Sequence, residues 1–173
     1  MDYRWFFGSN TTYNKKLSVM SSLLSAVMYE GSSLSLNDST KTQKTDGKTI
    51  QQVMTYFGMS NPKSYALNTL YSDDHVSEVA LGYRTVKYNN KQKTILAVII
   101  RGTNGTLQEW TSNFDVGQLS TDTSSDEWKN TKNHKGFDIT ANRIMKLVDK
   151  YISENGISKS SVVYWVTGHS RGA

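Results

Sequence analysis

The feature that most constrains this fold is the segment 161–173, SVVYWVTGHSRGA, in which an apolar run leads directly into a glycine-flanked serine. Residues 162–167 are β-branched or aromatic, which is the composition of a buried strand. The G-x-S-x-G sequence of residues 168–172 follows at once. In a nucleophile elbow a strand reverses sharply, the serine is strained with its hydroxyl exposed, and the glycines keep side chains out of the turn. The segment therefore predicts Ser170 as a nucleophile at a strand end.

Composition limits the architecture and excludes several functions. A chain of 173 residues with 36% hydrophobic residues can bury one sizeable core, so we expect a single domain over 1–173. The net charge of +5 comes from scattered Lys and Arg with no basic cluster among aromatics, which argues against nucleic-acid binding. No apolar run is long enough for a transmembrane segment. Secretion, with a signal peptide outside this sequence, and a cytoplasmic location both stay open.

The residue types also bear on metals and cofactors. The sequence has no cysteine, which excludes disulfides, thiol catalysis and thiolate metal sites. No group of histidines and carboxylates has the spacing of metal ligands. We therefore expect no metal and no cofactor.

Apolar periodicity indicates two helices in the N-terminal part. Helical spacing over 14–30 predicts a helix with Asn14 or Thr12 as its N-cap and Gly31 at its end. A short second helix opens at residues 46–47 and closes at Gly58. Asn61-Pro62 is typical of a turn.

The period changes to that of strands after Val76. Alternation over 79–85, a polar turn at 89–92 and the apolar run TILAVII at 94–100 predict a hairpin whose second strand is buried on both faces. A helix follows from Phe137 to about Ile152, and the closing strand begins near Ser161. This order predicts an α/β fold with a mostly parallel sheet and flanking helices.

Three segments together resemble the class 3 lipases, a branch of the α/β-hydrolases. They are AVIIRGTNGTLQEWTSNFDV at 97–116, HKGF at 134–137 and VTGHSRGA at 166–173. Arg171 replaces the leucine common in fungal members, and an S-R-G version is familiar among bacterial ones. The resemblance covers roughly residues 76–173. It implies an α/β-hydrolase fold and hydrolysis of acyl or lipid esters.

The resemblance also implies roles for individual residues. Ser170 would attack the ester carbonyl and form an acyl-enzyme. Thr103 would donate its backbone N–H and hydroxyl to the oxyanion, and the Arg171 backbone N–H would be the second donor. Leu107 and Trp110 lie in the segment that matches the family's lid, and a lid or a core role suits them equally. Arg101 suits a structural pairing with a carboxylate such as Asp115.

The catalytic acid and base follow the nucleophile in the family's chain order of Ser, Asp and His. The sequence stops at Ala173, so we expect a domain incomplete at its C-terminal side. His169 adjoins Ser170 in a turn where neighbouring side chains point apart. His134 matches a motif histidine that caps or packs, and His75 lies in a polar loop. None of the three suits the general base, so this chain alone is expected to be inactive.

Three interpretations stay open. The one we favour is a longer hydrolase whose companion segment or chain supplies Asp and His. The second is an inactive fragment that self-associates through strand 161–167, which would form an exposed sheet edge. The third is a non-catalytic relative that serves as an interaction module.

Overall fold

The fold was analysed in a computed structural model, which describes residues 1–9, 11–29, 49–71, 77–102 and 135–173. Its strands form one sheet in the order β1-β2-β3-β4, and they are β1 Ser60–Ala66, β2 Glu78–Tyr88, β3 Lys91–Ile100 and β4 Val162–Gly168. The helices are α1 Lys15–Val27, α2 Ile50–Tyr56, α3 Leu67–Tyr71 and α4 Lys135–Glu154. Short 3-10 turns cover Arg4–Phe7, Lys159–Ser161 and Ser170–Gly172.

A side-chain cap directly precedes each of the first two helices. The Asn14 carboxamide oxygen accepts a hydrogen bond from the Leu17 N–H at 3.0 Å, which confirms Asn14 as the N-cap of α1. Thr49 and Gln52 form a capping box at the start of α2. Gly58 follows α2 with φ of 78°, as predicted for its end. The second helix begins at Ile50, after an extended Thr49, and not at residues 46–47 as predicted. Residue 31, the expected end of the first helix, lies outside the described residues.

The predicted hairpin is confirmed as β2 and β3. Asn89 and Asn90 have φ of 48° and 58°, the left-handed conformation that a two-residue type I′ turn requires. The pairing then runs without a break from Tyr88 opposite Lys91 to Val79 opposite Ile100. Residues 95–99 of β3 are at most 3% exposed, so this strand is buried on both faces.

The prediction of a mostly parallel sheet is not confirmed. Among the described strands, β3 with β4 is the parallel pairing, while β1–β2 and β2–β3 are antiparallel. A two-residue turn can join β2 to β3 only in the antiparallel sense, whereas the connection from β3 to β4 contains α4 and permits a parallel crossover. The sheet is mixed, which is compatible with an α/β fold.

The turn expected at Asn61-Pro62 is wrong, because both residues lie inside β1. Asn61 has φ of 46°, and the pairing register with β2 shifts between Ser60 and Lys63. Proline has no N–H to donate and is tolerated at sheet edges and bulges. The turn-forming residues therefore produce an irregularity in the strand that ends the described sheet.

Helices cover both faces of the sheet and form two apolar clusters. Ile95, Ala97 and Ile99 of β3 face α1 and α2. Leu96 and Val98 face α4, whose buried residues are Ile139, Ile144, Leu147, Val148, Tyr151 and Ile152. Phe137, which was expected on this apolar face, is 44% exposed.

The N-terminal segment packs across the α1 side of the sheet. The Tyr3 hydroxyl donates to the Phe57 carbonyl at 2.8 Å, and burial raises the pKa of Tyr3 to about 12. The Phe6 ring lies 5.5 Å from the Trp165 ring. The segment therefore links α2 to β4. In the described ranges, no helix is long and apolar enough to cross a membrane.

Two adjacent leucines of α1 allow a matched test of this packing. Leu24 is 1% exposed, whereas Leu23 is 44% exposed. We expect Leu24→Ala to lower the free energy of unfolding by about 2–5 kcal/mol, because it leaves a cavity against the sheet. Leu23→Ala should change it by about 1 kcal/mol or less. Denaturant unfolding followed by circular dichroism measures both, and equal losses would contradict the described orientation of α1.

Candidate active site

The parallel pairing of β3 and β4 brings two chain segments to one edge of the sheet. Ile100 lies opposite Gly168, so both strands end at the same level. Arg101 and Gly102 leave β3 there, and residues 169–173 leave β4. In α/β sheets, ligands bind at the carboxyl ends of such strands. This edge of the sheet is therefore the candidate site.

Ser170 has an unusual backbone conformation. His169 is still extended, with φ of −135° and ψ of 144°, and Ser170 then turns to φ of 56°. The chain continues as a 3-10 turn over Ser170–Gly172. A non-glycine residue in the left-handed region costs about 1–3 kcal/mol, and such strain concentrates at functional sites. A strand, a serine with positive φ and a tight turn follow one another here, an order compatible with a nucleophile elbow.

The two glycines beside this serine are needed for close packing. A Cβ on Gly168 would overlap the backbone of Gly172. A Cβ on Gly172 would overlap the Ile100 carbonyl oxygen at the end of β3. Hydrogen is therefore the side chain that fits at both positions, and the turn lies directly against the neighbouring strand.

Gly168→Ala tests this close approach. We expect the free energy of unfolding to fall by about 1–3 kcal/mol or more, because the added methyl group meets backbone that cannot move alone. Gly8→Ala is the control, since its Cβ would lie 3.6 Å from the Trp5 carbonyl oxygen, an ordinary contact. The control should change stability by no more than about 0.5 kcal/mol. Similar losses in chemical denaturation would argue against the tight turn.

Strain at Ser170 can be measured separately. Ser170→Gly and Ser170→Ala both remove the hydroxyl, but glycine alone adopts positive φ at little steric cost. We expect Ser170→Gly to be more stable than Ser170→Ala by about 1 kcal/mol. Thermal unfolding of the two proteins under one condition makes the comparison. A less stable glycine variant would show that Ser170 is not strained.

Gly102, the residue before Thr103, packs against the same turn. A Cβ at Gly102 would overlap the His169 carbonyl oxygen and the Tyr29 hydroxyl, and it would lie 3.1 Å from the Ser170 Cβ. Groups from the turn after β4 and from the turn after α1 therefore converge on the end of β3. The chain passes this point immediately before it reaches Thr103.

Three hydrogen bonds between side chains, at regular spacing, join helix α1 and the turn after it to β4 and the turn after it, and we call them the polar ladder; its last pair, Tyr29 and His169, lies just beyond the ends of α1 and β4. The Trp165 indole N–H donates to the Ser21 hydroxyl at 2.9 Å. The Ser25 and Thr167 hydroxyls lie 2.9 Å apart. The Tyr29 hydroxyl lies 3.0 Å from His169 Nδ1, and its ring meets the imidazole edge-on at 5.8 Å.

The spacing of the polar ladder follows from backbone geometry. Ser21 and Ser25 of α1 are four residues apart, a rise of about 6 Å, and Trp165 and Thr167 of β4 are two residues apart, a rise of about 6.6 Å. The helix and strand repeats therefore match, and Tyr29 and His169 continue the same spacing in the turns that follow. Sequence reasoning missed Tyr29 as a site residue. The signal was the repeat of Ser21, Ser25 and Tyr29 at intervals of four.

A cleft of about 410 Å³ opens between α1 and the end of β4. Five of its eight lining residues carry a hydroxyl group, and the lining residues are Ser21, Ser22, Ser25, Ala26, Tyr29, Thr167, Gly168 and His169. The cleft adjoins the residue before Ser170.

A buried ion pair lies directly behind this edge of the sheet. Arg101 Nε lies 3.6 Å from a Glu78 carboxylate oxygen, and both side chains are at most 5% exposed. The Arg101 N–H also donates to the Glu78 carbonyl at 2.9 Å. Arg101 thus has the structural pairing expected of it, with Glu78 as the carboxylate. Asp115 lies outside the described residues. Loss of one partner of such a pair typically costs about 3–5 kcal/mol.

The structure describes only part of the predicted site. Ser170 and Arg171 lie in the turn after β4, whereas Thr103, Leu107 and Trp110 lie outside the described residues, as do His75 and His134. His169 is the histidine within the described ranges, and its ring contacts Tyr29. Those ranges contain no group of three or more His, Cys, Asp or Glu side chains placed to hold a metal ion.

Comparison with known families bears on this edge of the sheet. The family model described as lipase (class 3) covers the end of β3, α4, β4 and the turn that carries Ser170. Residues 97–173 match the class 3 lipase family. The resemblance seen in the sequence is thereby confirmed over this segment, and a lipase-like ester hydrolase is supported in general terms. No curated protein and no solved structure matched the chain.

Proposed function

We propose that this chain belongs to a serine hydrolase of carboxylic esters that forms an acyl-enzyme on Ser170. The Ser170 Oγ attacks the ester carbonyl carbon, and the alcohol leaves with a proton from the general acid. Water then attacks the acyl-enzyme and releases the carboxylic acid. The observation that carries the proposal is the strained backbone of Ser170, with φ of 56°, in a turn that lies within the class 3 lipase match.

The proposed oxyanion hole uses Thr103 and the backbone N–H of Arg171. Gly102 packs against Ser170, and Thr103 is the next residue of the sequence. The 3-10 turn ties the N–H groups of Gly172 and Ala173 to the carbonyls of His169 and Ser170, each at 3.0 Å. A rigid turn of this kind holds backbone dipoles in place before the reaction. Each such donor typically contributes about 3–4 kcal/mol to the transition state.

Acyl or lipid esters are the substrates we propose, because the class 3 lipase match covers the segment that holds these groups. Leu107 and Trp110 are proposed to lie in a lid over the acyl chain. An apolar lid would exclude water and strengthen the hydrogen bonds to the oxyanion.

The general base and its carboxylate are proposed to come from a companion segment or chain outside the described residues. Within those residues the candidate base is His169, and its Nδ1 lies 3.0 Å from the Tyr29 hydroxyl. This hydrogen bond and the edge-on ring contact hold the imidazole against Tyr29. A histidine that acts on Ser170 must reach the hydroxyl within hydrogen-bonding distance.

Labelling with a fluorophosphonate probe tests the proposal. The protein should be taken as it is naturally made, with any polypeptide that copurifies, and intact mass should identify every chain. We expect one phosphonyl adduct, on Ser170, and its complete loss in Ser170→Ala. Ser153→Ala, which removes an exposed serine of α4, is the matched control and should label like the wild type.

Different outcomes separate the proposal from its alternative. Labelling that persists in Ser170→Ala, or no labelling of the wild type, would overturn the assignment of Ser170. The alternative is then an interaction module that uses β4, where Tyr164 and Val166 are 51% and 61% exposed. Hydrolysis of short-chain p-nitrophenyl esters with the same variants gives an independent measure of turnover.

A further inference from the structure

The last rung of the polar ladder lies at the candidate reaction centre. The Tyr29 hydroxyl contacts His169 Nδ1, the residue directly before Ser170. The same hydroxyl and the Ser170 Cβ both approach the position that a Cβ on Gly102 would occupy. The Tyr29 oxygen is therefore close to Ser170 as well as to the start of the segment that carries Thr103. None of the groups assigned above to the reaction is on α1.

We infer that Tyr29 is a positioning residue for the acyl-transfer reaction, and this inference rests on the function proposed above. Its hydroxyl holds the His169 ring against α1 and so fixes the residue at which the extended chain of β4 turns into the strained serine. It also sets the distance between the elbow and Gly102. Tyr29 thereby helps to align the nucleophile with the Arg171 backbone N–H and with Gly102 at the end of β3.

The contacts of α1 show why Tyr29 does more than attach the helix. Leu24 and Met28 are at most 2% exposed and bury the apolar face of α1 against the sheet. Ser21 and Ser25 already bond to β4 at two points below the elbow. The helix is therefore docked without the third rung. What the Tyr29 hydroxyl adds is a contact beyond the end of β4, where the chain leaves the sheet.

Neighbouring groups restrict where the phenol can move. A side chain at position 102 would overlap both the Tyr29 hydroxyl and the His169 carbonyl oxygen. The Gly102 backbone therefore lies close to both groups and leaves the Tyr29 hydroxyl little room on that side. The edge-on contact of the Tyr29 and His169 rings, at 5.8 Å, restricts rotation of the imidazole. A nucleophile displaced by about 1 Å can lose about 100-fold in rate, so a modest shift here is measurable.

Tyr29→Phe tests the inference, because it keeps the ring and removes the hydroxyl. Ser21→Ala is the matched control, since it removes the rung farthest from the elbow. Each change loses one hydrogen bond, and we expect each to lower Tm by about 2–4 °C. The readout that separates them is the rate of Ser170 labelling by a fluorophosphonate in the protein as naturally made. Tyr29→Phe should lower that rate at least about tenfold, whereas Ser21→Ala should leave it near the wild-type value.

A second readout follows His169 directly. The ¹⁵N chemical shifts of its ring report which nitrogen accepts or donates a hydrogen bond. They should change in Tyr29→Phe and stay constant in Ser21→Ala. Unchanged His169 shifts in Tyr29→Phe would overturn the inference, whatever the labelling rate.

The labelling results distinguish this inference from the proposed function. A wild type that labels at Ser170, with Tyr29→Phe labelling equally fast, overturns the role of Tyr29 and leaves the proposed function intact. A wild type that does not label at Ser170 overturns the proposed function and the inference with it. Equal slowing in both variants would assign the effect to the docking of α1, which also overturns the inference.

Discussion

The close parallel contact between the ends of β3 and β4 is the constraint on which the rest of this site depends. Backbone meets backbone there: Gly168 and Gly172 leave no room for side chains, and Gly102 lies against the turn. Because the turn has no space to relax into the usual conformations, Ser170 is held with φ of 56°. Close backbone packing at these three glycines thus holds Ser170 in its strained conformation. Burial of β3 on both faces keeps that packing rigid.

Helix α1 supports this edge through two kinds of contact. Its apolar residues are buried against the sheet and supply most of the docking energy. The polar ladder adds little net stability, about 1 kcal/mol per hydrogen bond, but hydrogen bonds are directional and fix the register of helix on strand. Without that register, hydrophobic contact alone would allow α1 to slide along β4. Tyr29 contacts His169 because the Ser21–Trp165 and Ser25–Thr167 contacts set the register of α1 on β4.

Sequence patterns predicted much of this fold where the signal was local. The asparagine turn, the apolar run of β3 and the cap at Asn14 each depend on neighbouring residues, and each was predicted correctly. Asn61-Pro62 was interpreted as a turn because its residue types favour turns, but pairing with β2 keeps it in a strand. A mostly parallel sheet was inferred from element order. Element order does not reveal that β1 pairs antiparallel with β2.

The sequence by itself determined that a strand enters a glycine-flanked serine, and it indicated the class 3 lipase resemblance. These features follow from residue types at short spacing. Only the tertiary structure decided which distant groups surround the turn that carries this serine: Gly102 after β3 packs against it, and Tyr29 after α1 bonds the neighbouring His169. Glu78 pairs with Arg101 behind them. Such contacts join residues up to 140 positions apart, as Tyr29 and His169 are. They depend on how helix and strand repeats come into register, and the spacing of Ser21, Ser25 and Tyr29 does not by itself say which strand these residues meet.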